Sequence, residues 1–520
     1  MSSPVVNIPP RRFLGLFAGL AMLMVVISYI FMLLLAAACV YIPFLILTYS
    51  SGFQTLALLI AGVIVAGSIV WSLVPRRDKF KAPGTPLERA SHPRLFAELD
   101  NIARALDEPL PSEVYLIGDA NAWVADRGGI MGFGSRRVMG LGLPLLAALN
   151  VSQFRAVLAH EFAHYYGGDT KLGPWLHRTQ MAMIRTFQSL GSVGSTMRVA
   201  LMQVLYYVVF SVLKLYWKIF LRAINFVSRR QEFRADELAC ILAGPDALTS
   251  GLRGVNAAAL AWPSFLKTEV LPMFDMGCRA SMTEGFAQFL SAPSIQPQVL
   301  KGVERRLHEE KAEPFDSHPP LRERLAAAER LSLPSPLRDM EPAFVLLNNL
   351  DGEEAKYLEA MQPELMKKGM RTVSWDEKGT TVLIPHWRKA VTTYGELLEG
   401  ATIGNLWEWL GKVPQIAPKL RDPQGMLLTP EQRIERARSF LGMACALALT
   451  NSGWALHAQP GEFHLSLGEE RFNPYIVVTQ LSDGKISKDA WEEQCRKLGI
   501  GDIPLVSRVE SDVSTQEAVS

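Results

Sequence analysis

Two long apolar runs dominate the first 75 residues. Residues 13–48 are almost unbroken hydrophobic sequence, and after Ser50-Ser51-Gly52 a second run extends from 56 to 74. About 20 helical residues cross a hydrocarbon core. The runs therefore predict two transmembrane segments, at about 14–42 and 55–75, the first over-long and broken near Pro43. A secretory signal peptide has an apolar core of roughly 7–15 residues, far shorter than this one. Ala36-Ala37-Ala38-Cys39 is similar to a lipoprotein cleavage site, but cleavage there would strand the second span. Arg11 and Arg12 precede the first run, Arg76, Arg77, Lys79 and Lys81 follow the second, and the loop between carries no charge. That distribution places both ends of the pair on the cytoplasmic side.

After about residue 82 the pattern becomes that of a globular domain. An amphipathic helix is predicted over 95–106, short strands over 113–118, 121–126 and 137–141 with Gly-rich turns, and a helix from 151, capped by Asn150 with Gln153 and stopped by Gly167-Gly168. Residues 199–213 are free of charge and are followed by Lys214, Lys218 and Arg222 on one helical face. This stretch, about 198–227, fits an amphipathic or membrane-associated helix, or a long core helix. A single crossing here would put everything after it on the far side of the membrane. Residues 228–242 resume strong helical character, 250–340 read as helices with Pro-containing joints, and 341–520 change texture to α+β, with a helix over 431–450 and a hairpin about Pro460-Gly461. The last dozen residues read as disordered. The chain thus divides into a membrane anchor (1–82), a central domain (83–340) and an accessory α+β domain of unknown role (341–520).

With 520 residues and 49% hydrophobic composition, two or three domains are expected, the apolar excess lying at the N-terminus. A formal net charge of +2 offers no global case for nucleic acid. Five scattered cysteines without C-x-x-C spacing argue against a disulfide framework and for a reducing compartment.

Chemistry concentrates at VLAHEFAHYY, residues 157–166, where His160, Glu161 and His164 form H-E-x-x-H on a predicted helix. Histidines four apart share a helical face, so their imidazoles can converge on one zinc ion while Glu161, about 100° further round, can reach a water in an open position. In SRRQEFRADELA, residues 228–239, Glu232 and Asp236 are also four apart, a spacing that suits a ligand carboxylate and a carboxylate that orients a ligand histidine. Read without the first motif, they are solvated charges on a Glu/Arg-rich helix.

Four separated pieces, Asn121-Ala122-Trp123, LAHEFAHYYGGDT at 158–170, SRRQEFRADELA at 228–239 and SHPPLRERL at 317–325, occur in an order that resembles the integral-membrane zinc metalloproteases of the HtpX type, related to the CAAX prenyl proteases. The resemblance covers roughly 85–335. It implies a fold that is mainly α with a small β-sheet, a zincin-like metalloprotease domain. It also implies one Zn²⁺ per chain on His160, His164 and Glu232, Glu161 as catalytic base and Asp236 behind the ligands. By the same resemblance His318 and Arg324 flank the scissile carbonyl, and Asn121 lies on the edge strand that holds substrate. HtpX-type proteins usually carry two hydrophobic segments between the metal helices, where one is visible here, and 341–520 match nothing recognised.

The expected function is membrane-bound, zinc-dependent endopeptidase action on unfolded or damaged membrane proteins. The expected site of action is the bacterial inner membrane, with the catalytic domain facing the cytoplasm. Its partners are protein or peptide substrates and the lipid bilayer, without nucleic acid and with the oligomeric state open. The alternative is a membrane-tethered binding or adaptor protein whose zinc site is not catalytic.

Overall fold

The structure, a computed structural model, describes residues 14–50, 52–74, 78–129, 134–166, 169–196, 200–310, 318–334, 338–367, 369–421 and 428–506. It is mostly helical and divides into two units, Met1–Trp262 with Gln298–Pro363, and Pro263–Pro297 with Glu364–Ser520. In sequence a boundary reads at about 340; in the structure the 263–297 stretch packs with the C-terminal residues. Gly167-Gly168 and the last dozen residues lie outside the described residues.

The first unit begins with helices α1 (Leu14–Tyr49) and α2 (Phe53–Leu73). Within them Met22–Tyr49 and Phe53–Leu73 are long and apolar enough to cross a membrane. The pair is closely packed at Gly62, where a Cβ would stand 2.0 Å from the Cys39 carbonyl oxygen. That carbonyl belongs to the residue four before Pro43, whose missing N–H leaves it without its helical donor. The freed oxygen faces the bare Cα of Gly62, a close approach that C–H···O contacts favour. The expected break near Pro43 is accordingly absent, and α1 continues to Tyr49.

Strands β2 (Glu113–Ile117), β3 (Ala122–Arg127) and β4 (Arg136–Gly142) and helix α3 (Pro93–Ala105) fall close to where alternation and amphipathicity predict them, and a short strand β1 (Thr85–Pro86) that the pattern does not predict precedes them. The sheet order is β1-β2-β4-β3, with β2 and β4 parallel and β1 and β3 antiparallel to their neighbours. β3 is therefore an edge. A short helix α4 (Leu143–Ala148) leads to α5 (Val151–Tyr166), which starts as the Asn150/Gln153 pair predicts: the Asn150 N–H donates to Gln153 Oε1 at 3.0 Å and the Gln153 N–H to Asn150 Oδ1 at 2.9 Å. α5 packs on α3, on β3 and on the long helix Ala200–Ala243. Its buried Phe154, Leu158 and Phe162 fill that layer.

After α5 the chain forms α6 (Asp169–Thr196) and α7 (Ala200–Ala243). Both contact α1 and α2, and a shared core joins Met32, Ala36 and Cys39 of α1, Val65, Ala66 and Ile69 of α2, Leu190 of α6 and Val209 and Leu213 of α7. The apolar 199–213 stretch thus packs against the two candidate spans. It is paired with α6, so that the chain goes out and comes back. α7 has 44 residues without proline, and its second half returns to α5.

The second unit is built around helix Pro430–Asn451, whose Thr429 cap and Gln432 exchange hydrogen bonds at 3.3 and 2.9 Å. Its core includes Trp387, Phe440, Leu449 and Trp491, and the meander Ala455–Gln459, Glu462–Leu467, Glu470–Phe472 turns at Pro460-Gly461 as expected. Glu269 and Lys378 form a buried ion pair in this unit.

Candidate metal centre

α5 carries His160 and His164 one turn apart, and their Nε2 atoms lie 3.3 Å from each other. α7 lays Glu232 against both, Oε2 at 3.5 Å from His160 Nε2 and Oε1 at 3.6 Å from His164 Nε2. Tetrahedral zinc with ligand bonds near 2.1 Å requires ligand atoms about 3.4 Å apart. The imidazole pair meets that requirement, and each of its nitrogens has one Glu232 oxygen near that distance. Glu232 Oε2 is also buried without a hydrogen-bond partner among the described residues. With only His160 Nε2 at 3.5 Å and Arg324 Nη1 at 3.4 Å beside it, this buried oxygen is under-satisfied, and its place next to an imidazole nitrogen suits a cation. The donor set of two imidazoles and a carboxylate is that of catalytic zinc, and no fourth ligand joins the group among the described residues.

The groups behind the ligands set their orientation. Asp236, one turn beyond Glu232, places Oδ1 2.9 Å from His160 Nδ1, which fixes that nitrogen as donor and turns Nε2 toward Glu232. Arg324, in the first turn of the helix Leu321–Glu329, forks the same carboxylate, donating from Nε to Oδ2 at 2.8 Å and from Nη2 to Oδ1 at 2.7 Å. Its Nη1 is 3.4 Å from Glu232 Oε2, and Nη2 lies 3.3 Å from both ring nitrogens of His160. With His160 neutral, as a metal ligand must be, ionised Glu161, Glu232 and Asp236 with Arg324 sum to two formal negative charges, which a divalent cation would cancel.

Burial and neighbours separate the titrations. Burial pushes Glu161 up to about 7, into the range of a general base near neutrality. Burial and Arg324 oppose a charge on His160, but the Asp236 and Glu232 carboxylates outweigh them and hold it at about 9. Burial, then His160, pushes His164 down to about 4. Against its own burial, Glu232 is held far below the carboxylate range by hydrogen bonds from His160 and His318. Cys240, two turns past Glu232 on α7, is buried and pushed up to about 12, an inert apolar thiol rather than a ligand.

His318 stands at the rim, 68% exposed, with Nδ1 2.8 Å from Glu232 Oε1. Arg324 is 11% exposed and is taken up by carboxylates. Six of the eight residues singled out in the sequence therefore meet in one cluster, with Glu161 adjoining on α5. Asn121 does not touch it; it is exposed at the start of β3, its N–H bonded to Asp119 O at 2.7 Å. Sequence reasoning missed the Arg324–Asp236 fork, since the partners are 88 residues apart and neither segment shows the pairing.

Residues 89–332 match the family described as Peptidase family M48, a family of zinc metalloproteases. The match encloses the His160, His164 and Glu232 cluster and supports a metallopeptidase of that family over this segment. No curated protein matches the chain.

Proposed function

We propose that the chain is a membrane-anchored, zinc-dependent endopeptidase of the HtpX type. The observation that carries this reading is the convergence of His160, His164 and Glu232, each offering one ligand atom within 4.8 Å of the others, with a buried and under-satisfied Glu232 oxygen among them. Zinc, when bound, supplies Lewis acidity to the substrate carbonyl and to a water. Glu161 takes the proton of the attacking water and returns it to the leaving amine, a transfer worth about 10² to 10⁴ in rate. His318, exposed at the rim, is placed to donate to the developing oxyanion, with about 3 kcal/mol of barrier at stake. Asp236 and Arg324 keep His160 aimed. The free edge of β3, with Asn121 at its start, offers backbone groups to an extended peptide, a recognition mode that reads conformation more than sequence. Unfolded or damaged membrane proteins suit such an edge.

The two apolar helices support anchoring in a membrane, and the basic residues that flank them support a cytoplasmic catalytic domain at the bacterial inner membrane. The α6–α7 hairpin returns the chain to the side it left, which lets Glu232 reach His160. Residues 341–520 are proposed as an accessory region. Structural zinc normally has four protein ligands, so three favour catalysis over a silent site in an adaptor. The test is cleavage of casein by the purified chain with and without a chelator, beside Glu232→Ala. The expected result is chelator-sensitive cleavage and loss of most zinc from the variant. Stoichiometric zinc in Glu232→Ala would remove it from the ligand set.

A further inference from the structure

The α6–α7 hairpin has a charge pattern that metal chemistry does not use. Residues 170–231 contain nine Lys or Arg and no Asp or Glu. Yet this cationic hairpin packs against the two most apolar helices of the chain. Its level along them is marked by polar contacts: Tyr216 OH lies 2.8 Å from Ser28 Oγ, and Arg185 Nη2 donates to the Ser72 carbonyl at 2.9 Å in the last turn of α2. Trp71, beside Ser72, is 66% exposed, as expected of an aromatic at a membrane–water boundary. From Phe53 to Trp71, α2 rises about 27 Å, and α1 covers the same height between Ser28 and Tyr49, about 32 Å of its longer apolar stretch Met22–Tyr49. Both match the roughly 30 Å of a hydrocarbon core.

At the catalytic-side boundary so defined, α7 exposes Lys214, Lys218 and Arg222 at intervals of four on one face. Leu215 and Ile219 are exposed beside them, and Val204 and Val208 continue the apolar surface toward the middle of the spans. A basic ridge that borders an apolar surface at this height faces headgroups. We propose that Lys214, Lys218 and Arg222 form a binding ridge for the phosphates of anionic phospholipids in the leaflet next to the catalytic domain. Lipid is favoured over a protein partner because the ridge is continuous with the surface of the candidate spans. The proposal rests on the membrane-anchored reading of α1 and α2.

The test is native mass spectrometry of the full-length chain from micelles containing phosphatidylglycerol or phosphatidylcholine. Phosphatidylglycerol should be retained in preference, and the K214Q/K218Q/R222Q variant should hold it roughly tenfold to a hundredfold less tightly, with phosphatidylcholine unchanged. Zinc content and helical signal report whether the variant folds. The wild type supplies a second arm, because its phosphatidylglycerol retention should fall with salt while phosphatidylcholine retention does not. Equal retention of the two lipids, salt-independent retention, or an unchanged folded variant would overturn the ridge. Competition by soluble glycerol phosphate at equal concentration would make it a free-phosphate site, and dimers lost in the variant without change in lipid would make it a contact between copies; either outcome overturns the lipid assignment. Release of the wild type from membranes by alkaline carbonate would instead overturn the anchoring itself.

Discussion

His160 is held from two sides, by Asp236 at Nδ1 and by Glu232 at Nε2, and together these keep a proton on the ring up to about 9. Zinc needs the Nε2 lone pair, so metal and proton compete. Apparent zinc affinity should therefore weaken as pH falls below about 9, by about tenfold per unit for one displaced proton, and calorimetry across that range measures it. At pH 9, where competition has faded, Asp236→Asn should still bind zinc about 10- to 100-fold more weakly, because the ring is no longer oriented. Equal affinity at that pH would remove Asp236 from this role. At the scale of single residues the sequence was highly informative wherever spacing along one helix decides proximity, as for His160 with His164 and Glu232 with Asp236. It was silent on Arg324. That side chain reads as one of several arginines on a helix until folding brings Asp236 to it.

Among the elements, α7 does the most. One unbroken helix joins the packing against α1 and α2 at Val209 and Leu213 to the candidate metal ligand at Glu232. From Leu213 to Glu232 it rises about 28 Å, a stiff link between spans and site. The bundle it joins depends on the α1–α2 approach at Gly62. Gly62→Val would drive side-chain atoms into the Cys39 carbonyl, and overpacking of this kind typically costs about 1 to 3 kcal/mol or more. The expected outcome is a lower unfolding temperature in detergent and poor recovery from membranes; wild-type stability would show that the helices are not in contact there. The α5 cap and the strands were legible because their signals are local. The partnership of α6 was not, since its polar residues disguise a helix that is buried by neighbours rather than by composition, at Thr186 and Leu190 for example.

For the molecule as a whole, the membrane-anchored reading proposed for α1 and α2, with the hairpin that returns Glu232 to His160, predicts residues 78–129 and the candidate metal centre on one side of the membrane. A cysteine introduced at Gly52 should react with an impermeant thiol reagent only from the opposite side to one introduced at exposed Lys301. The native cysteines, all buried, give little background. Labelling of both positions from one side would contradict the arrangement. The most direct measurement pairs metal content with turnover. Wild type and Glu161→Gln, purified in the same detergent, are assayed for zinc and for casein cleavage. The prediction is one zinc per chain in both, with cleavage in the wild type alone, reduced at least about 10²-fold in the variant. Wild-type cleavage by zinc-loaded Glu161→Gln would contradict a metallopeptidase that works through this glutamate.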